Sequence, residues 1–140
     1  MKKDVVIIGA GPAGIFTAIE MIKKGSKQSI LLVEKGQPVE KRRCPKDKTG
    51  YCVNCKPYCH ITTGFSGAGA FSDGKYNITN DFGGTLHEYI GKKEALELMH
   101  YVDQINMRYG GEGTKLYTTA GSKFKKECIQ NDLHLLDASV

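Results

Sequence analysis

Two stretches of this sequence carry residue types whose spacing could do chemistry. The first is Gly9-Ala10-Gly11-Pro12-Ala13-Gly14, a G-x-G-x-x-G run with Glu34 placed 20 residues after Gly14. The second is "CPKDKTGYCVNCKPYCH", residues 44–60, which holds four of the five cysteines and ends in His60. The glycines could bring backbone N–H groups against a phosphate. The thiols could bind a metal or exchange electrons.

Each residue type in the glycine run has a physical reason. Gly9 permits a tight turn, and Gly11 leaves room for a pyrophosphate to lie against the backbone. Gly14 lets a helix and a strand approach closely. Exposed N–H groups at a helix start, aided by the helix dipole, stabilise phosphate charge. Glu34 is placed to accept hydrogen bonds from ribose hydroxyls, and its charge would repel a 2′-phosphate, which argues against NADP at this site. FAD and NAD both fit the pattern.

The cysteine spacing is Cys44-x7-Cys52-x2-Cys55-x3-Cys59. Four thiolates satisfy zinc, but zinc ribbons and fingers usually separate two ligand pairs by a longer stretch than this one. The spacing also misses the ferredoxin run by one ligand. Cys52-Val53-Asn54-Cys55 reads equally as a C-x-x-C dithiol. Reduced, purely structural thiols are the third reading. Lys46, Lys48 and Lys56 would lower nearby thiol pKa values under either active reading. Cys128 stands apart and reads as a buried apolar residue.

The elements that must position these groups follow from periodicity. Val5–Ile8 is a β-branched apolar run, as expected of a strand buried on both faces. Pro12 suits the first position of a helix, which Ile15, Ala18, Ile19 and Ile22 carry to about Lys24, where Gly25 stops it. Residues 29–33 form a second buried strand ending at Glu34. Residues 1–35 are therefore a β-α-β dinucleotide unit. Residues 36–85 are Cys- and Gly-rich loops, with a short strand expected over Tyr76–Thr79. Residues 91–140 are expected to be mainly helical, first over Lys92–Tyr109 with Ala95, Leu98, Met99, Val102 and Ile105 inward. A last helix, carrying Phe124, Cys128, Leu133, Leu136 and Val140, has no stop signal. The fold class expected is α/β, the N-terminal part of a Rossmann-like FAD/NAD(P)-binding domain. Two strands are fewer than such a sheet needs, so the chain reads as a single partial domain, a fragment of a longer protein.

Composition bounds the rest. Hydrophobic residues make up 40% and charged residues 25% of 140, ordinary globular usage. The net charge of +5 is scattered. Its one cluster, Lys41-Arg42-Arg43, reads as a solvated surface, or more sharply as a patch near phosphate. No aromatic-basic interleaving points to nucleic acid. The uncharged run Val5–Ile19 imitates a signal peptide, but Asp4 heads it, glycines break it, no cleavage site follows, and it is too short to span a bilayer. The expectation is a cytoplasmic protein with no membrane partner and reduced cysteines. His87, His100 and His134 lie in expected helical contexts and read as ordinary residues.

The opening "DVVIIGAGPAGIFTA" with "LLVEKG" resembles the FAD-binding segment of glutathione-reductase-like flavoproteins with two dinucleotide-binding domains. "CPKDKTGYCVNCKPYCHITTGFSGAGAFSDGK" resembles a narrower family, the uncharacterised FAD-dependent dehydrogenases, with Ser66 where that family has glycine. The resemblance covers essentially the whole chain, while such proteins run several hundred residues. It implies an FAD-dependent oxidoreductase whose full-length form takes electrons from NAD(P)H and passes them to a small-molecule substrate or acceptor, the fragment alone being inactive. It also implies that the loop at residues 64–74 meets the cofactor, with Asp73 and Lys75 as charged neighbours of the flavin. The cofactor-binding candidates are Gly9, Ala10, Gly11, Pro12, Ala13, Gly14, Glu34, Lys35, Ser66, Gly67 and Ala68. The metal candidates, for zinc or an iron–sulfur cluster, are Cys44, Cys52, Cys55 and Cys59. No catalytic residue is singled out. The alternative is a non-enzymatic metal- or nucleotide-binding module, or an inactive truncated chain.

Overall fold

A computed structural model of the chain describes residues 2–136 and 138–140. The chain divides into two compact units, Met1–Gly74 and Lys75–Val140.

In the first unit, strand β1 (Val5–Ile8), helix α1 (Pro12–Lys23) and strand β2 (Ile30–Val33) follow in order. The strands pair in parallel, with Val5 opposite Ile30 and Ile8 opposite Val33. Asp4 locks the entry to the pair, because its carboxylate accepts the Ser29 N–H and hydroxyl, both at 2.8 Å. Helix α1 starts with Pro12 at its first position, as expected, and ends where Gly25 takes φ +79°. The expectation of strands buried on both faces fails. Val5, Ile7, Ile30 and Leu32 are partly covered, whereas Val6, Leu31 and Val33 are exposed and Ile8 is 88% exposed. Alternate residues of a strand face opposite sides, and within this unit α1 lies against the sheet from one side alone.

Beyond β2 the backbone is mostly irregular, with 3-10 turns at Val39–Lys41 and Ala68–Phe71 and one short helix, α2 (Lys46–Thr49). What orders this region is Arg42, which is fully buried. Its guanidinium donates to the carbonyls of His60 (2.8 Å), Phe65 (2.7 Å), Gly67 (2.9 Å) and Ile61, and it lies over the Phe71 ring at 4.7 Å. The reading of residues 41–43 as a solvated or phosphate-facing patch is therefore corrected at Arg42. A buried guanidinium needs acceptors, and four main-chain carbonyls supply them.

The second unit holds α3 (Leu86–Ile90), α4 (Lys92–Asn106), a π-type turn over Met107–Gly111, and α5 (Lys125–Gln130). Ala95 and Ile105 of α4 are buried with Ile78. Leu98, expected inward, is 44% exposed. Tyr76–Thr79 forms no strand; Ile78 makes a single antiparallel bridge to Ser139, which also bridges Thr118. The last helix ends at Gln130, well short of Val140. Asn131 caps it, Asp132 takes φ +53°, and Tyr117 and Val140 exchange main-chain hydrogen bonds. His134 consequently lies outside any helix. Among the described residues no helix is long and apolar enough to cross a membrane.

Candidate functional site

The glycine motif occupies the turn between β1 and α1. Gly9 has φ +101°, a conformation glycine adopts readily. Its N–H donates to the Val33 carbonyl at 2.7 Å, which fastens the turn to the end of β2. A Cβ on Gly14 would fall well inside 3.0 Å of the Gly9 carbonyl oxygen, so this position holds helix against strand. Around Gly11 a Cβ would meet nothing within 4 Å. The two glycines therefore serve opposite ends, Gly14 contact and Gly11 vacancy.

Helix α1 has Gly11 at its N-cap, with no side-chain cap and no acidic residue in its first turn. The first N–H groups of any helix lack partners inside it, and the helix dipole concentrates positive charge there. Gly11, Glu34, Lys35, Gly67, Thr62 and Thr63 line, with Gly64, a cavity of about 220 Å³ at this end. An open, uncapped helix start beside a Gly backbone fits a pyrophosphate.

Glu34 reaches back across the turn. One carboxylate oxygen accepts the Ala10 N–H at 2.8 Å and the other the Gly36 N–H at 2.9 Å. These two bonds hold its carboxyl below the usual range, with Lys35 adding a smaller Coulombic pull. The main chain alone thus fixes the carboxylate at the cavity edge, and each oxygen retains a lone pair for a hydroxyl donor.

Ser66 and Gly67 are brought to the motif as expected of that loop. The Ser66 N–H donates to the Ala10 carbonyl at 2.8 Å, and a Cβ on Gly67 would lie 3.3 Å from Pro12 Cδ. Ala68 begins the following 3-10 turn. Asp73 is exposed at the end of the loop, and Lys75, in the second unit, lines a cavity of that unit. Sequence reasoning placed Gly64 in the cofactor loop but missed Gly36, Thr62 and Thr63, and it read Arg42 as part of a surface patch. A Cβ on Gly36 would come 2.5 Å from Gly64 Cα, so two backbones touch at this point. Two glycines bracketing an irregular stretch were a readable signal for such an approach; Arg42 offered none.

The cysteines form a separate group in the same unit. Cys44, Cys52, Cys55 and Cys59 line one cavity of about 130 Å³, together with Lys46 and His60. All four are free thiols. Among the described residues no three His, Cys, Asp or Glu side chains are arranged to hold a metal ion. Cys59 differs from the others. Main-chain N–H groups of Thr62 and Ile61 and the Thr62 hydroxyl hold its thiol below the usual range, with a smaller pull from Arg42.

A cavity of about 440 Å³ in the second unit, lined among others by Asn80, Lys92 and His100, contains none of the cofactor candidates. Size therefore does not select the site; the glycine turn, the open helix start and the fixed carboxylate do.

The first unit is a partial α/β fold whose β-α-β start presents an open helix N-terminus to a ligand. Residues 4–42 match the family described as "FAD binding domain", which supports FAD as that ligand. An "Uncharacterized protein" of Clostridium beijerinckii (strain ATCC 51743 / NCIMB 8052) is 37% identical over 75 residues, 54% of this chain. The match takes in 14% of that relative's length. No solved structure matches the chain.

Proposed function

We propose that the first unit binds the ADP moiety of FAD and forms the FAD-binding portion of a flavin-dependent oxidoreductase of the dehydrogenase type. The observation that carries this reading is the cavity joining Gly11 at the uncapped start of α1 to the fixed Glu34 carboxylate, within the stretch that matches an FAD binding domain. In this reading the N–H groups of Gly11, Ala13 and Gly14 face the pyrophosphate. The Gly9 and Ala10 N–H groups are already engaged by Val33 and Glu34 and serve to shape the turn. Glu34 accepts the ribose hydroxyls, and Lys35 lies beside them. Ser66, Gly67 and Ala68 cover the phosphates from the far side of the turn.

FAD supplies two-electron chemistry when bound; this chain's residues hold it. The resemblance to FAD-dependent dehydrogenases supports NAD(P)H as electron donor to the full-length protein and a small molecule as substrate or acceptor. The free cysteines fit a cytoplasmic setting.

Gly11→Val tests the assignment. The side chain would enter the open space where the pyrophosphate is placed. The full-length protein should purify yellow with about one FAD per chain, and the variant should purify colourless while keeping its far-UV circular dichroism. Stoichiometric FAD in the variant would overturn the reading.

A further inference from the structure

We propose that the second unit carries a binding site of its own, for a free amino acid with an apolar side chain, in the cavity of about 440 Å³ that residues 78–81 share with helix α4. The observation that points to a ligand is the side chain of Asn80. Its Nδ2 donates to the Lys92 carbonyl at 2.9 Å, and that bond fixes which way the amide faces, because the reverse orientation would set oxygen against oxygen. Its Oδ1 is buried and, among the described residues, accepts no hydrogen bond. A buried acceptor left unpaired is costly, so this atom wants an N–H or O–H donor from a bound molecule. The neighbouring hydroxyls make no such demand. Ser139 donates to the Thr118 hydroxyl at 3.1 Å, and the Thr79 hydroxyl accepts the Asp81 N–H at 3.1 Å.

The charges beside Asn80 narrow the class. Asp81 follows it in the chain and lines the same cavity, so a carboxylate joins the unpaired oxygen. Two acceptors together suit an ammonium group, with three protons, better than a hydroxyl with one. Lys92, tied to Asn80 through its own carbonyl, adds a cation at the same end. Neither Asp81 nor Lys92 forms an ion pair among the described residues. An ammonium and a carboxylate on one small molecule answer both charges at once, whereas an ion of a single sign would meet a like charge. Lys92, Leu96 and His100 recur at four-residue spacing, so they share one face of α4 and the cavity runs along it. Leu96, Ile78 and Ala138 give that run an apolar wall for the ligand's side chain. His100 lies about 12 Å from Lys92 along the helix axis, beyond a small amino acid seated at Lys92. No cofactor candidate lines this cavity, so the site stands or falls independently of the FAD reading.

Isothermal titration calorimetry of the full-length protein tests the site with L-leucine and two analogues, isocaproate, which lacks the ammonium, and isoamylamine, which lacks the carboxylate. Leucine should bind, and each analogue should bind at least about tenfold more weakly, because each leaves one side of the site unpaired. Lys92→Met keeps the main-chain carbonyl that holds Asn80. It should weaken leucine by at least about tenfold and remove the preference for leucine over isoamylamine. Lys93→Met is the control. Lys93 is ion-paired with Glu97 at 3.7 Å and does not line the cavity, so leucine binding should be unchanged. Far-UV circular dichroism checks that both variants fold. The proposal is overturned if leucine gives no binding at up to about 10 mM, or if either analogue binds as well as leucine. It is equally overturned if Lys92→Met binds leucine as the original protein does, or if Lys93→Met loses as much affinity as Lys92→Met.

Discussion

Gly14→Ala tests the seating of α1 on β1, and the sign of its effect separates two accounts. Gly14 is the third residue of a 12-residue helix. If it were an ordinary helical glycine, alanine would stabilise the chain by up to about 1 kcal/mol through propensity. The structure predicts the opposite. A Cβ there would overlap the Gly9 carbonyl oxygen and would lie 3.1 Å from the Gly9 carbonyl carbon and 3.2 Å from Ile7 Cγ2. The first obstacle is backbone in a turn held to β2 by the Gly9 N–H, so it cannot swing away as a flexible side chain would. The helix must lift instead, and overpacking of this kind costs roughly 1–3 kcal/mol. Taking the upper part of that range and subtracting the propensity gain leaves a net loss of about 2 kcal/mol, or about 4–8 °C in Tm. Gly11→Ala is the control. Its φ of −77° suits alanine and nothing lies within 4 Å of the new methyl, so its loss, that of a poorer helix cap, should stay below about 1 kcal/mol. Urea unfolding followed by circular dichroism gives both values. A Gly14→Ala variant as stable as the original chain, or more so, would refute the close approach of helix and strand.

Two further perturbations probe the clasp around the site. Glu34→Gln should flatten the acid limb of the stability curve. The carboxyl pKa is lowered in the folded chain from about 4.5, so its contribution is present above that value and is lost as pH falls through the lower folded pKa. Urea midpoints collected from pH 6 downward should converge for the two proteins at the acid end; parallel curves would remove Glu34 from the turn. Arg42→Lys keeps the charge but not the planar fork, and a single ammonium cannot serve four carbonyls. Leaving buried acceptors unpaired costs about 1–3 kcal/mol each, so the variant should lose at least about 3 kcal/mol and be cleaved by protease within residues 59–67. Resistance equal to that of the original protein would show that the loop is held by something else.

The parts of the fold legible in the sequence were those in which one residue type answers one local demand. Pro12 at the helix start, Gly25 at its end and Gly9 in the turn each meet a backbone requirement that neighbouring residues define. The Gly-rich loop was legible for a related reason, since only residues as small as Ser66 and Gly67 could lie against Ala10 and Pro12. The failures arise where a demand is met from far along the chain or by groups without side-chain identity. Arg42 looked like one cation of a basic run because its partners are carbonyls 18 to 25 residues away, and every residue carries a carbonyl. The last helix was extended too far because Leu133, Leu136 and Val140 keep an apolar rhythm, while the main chain of Val140 pairs instead with Tyr117. Asn131-Asp132 was the available stop signal, two residues that tolerate the left-handed backbone Asp132 adopts.

The same reasoning explains why the glycine turn and the cysteine loop, separate in sequence, belong to one structural argument. Residues 59–64 contribute Cys59, His60 and Ile61 to the thiol cavity and Thr62, Thr63 and Gly64 to the cavity beside Gly11 and Glu34. Arg42 holds that segment from within, through carbonyls on both sides of the division and through Gly67 on the loop against the motif. Any ligand that orders Thr62 and Thr63 therefore bears on the segment that carries Cys59. Loss of the Arg42 clasp should therefore loosen both cavities together.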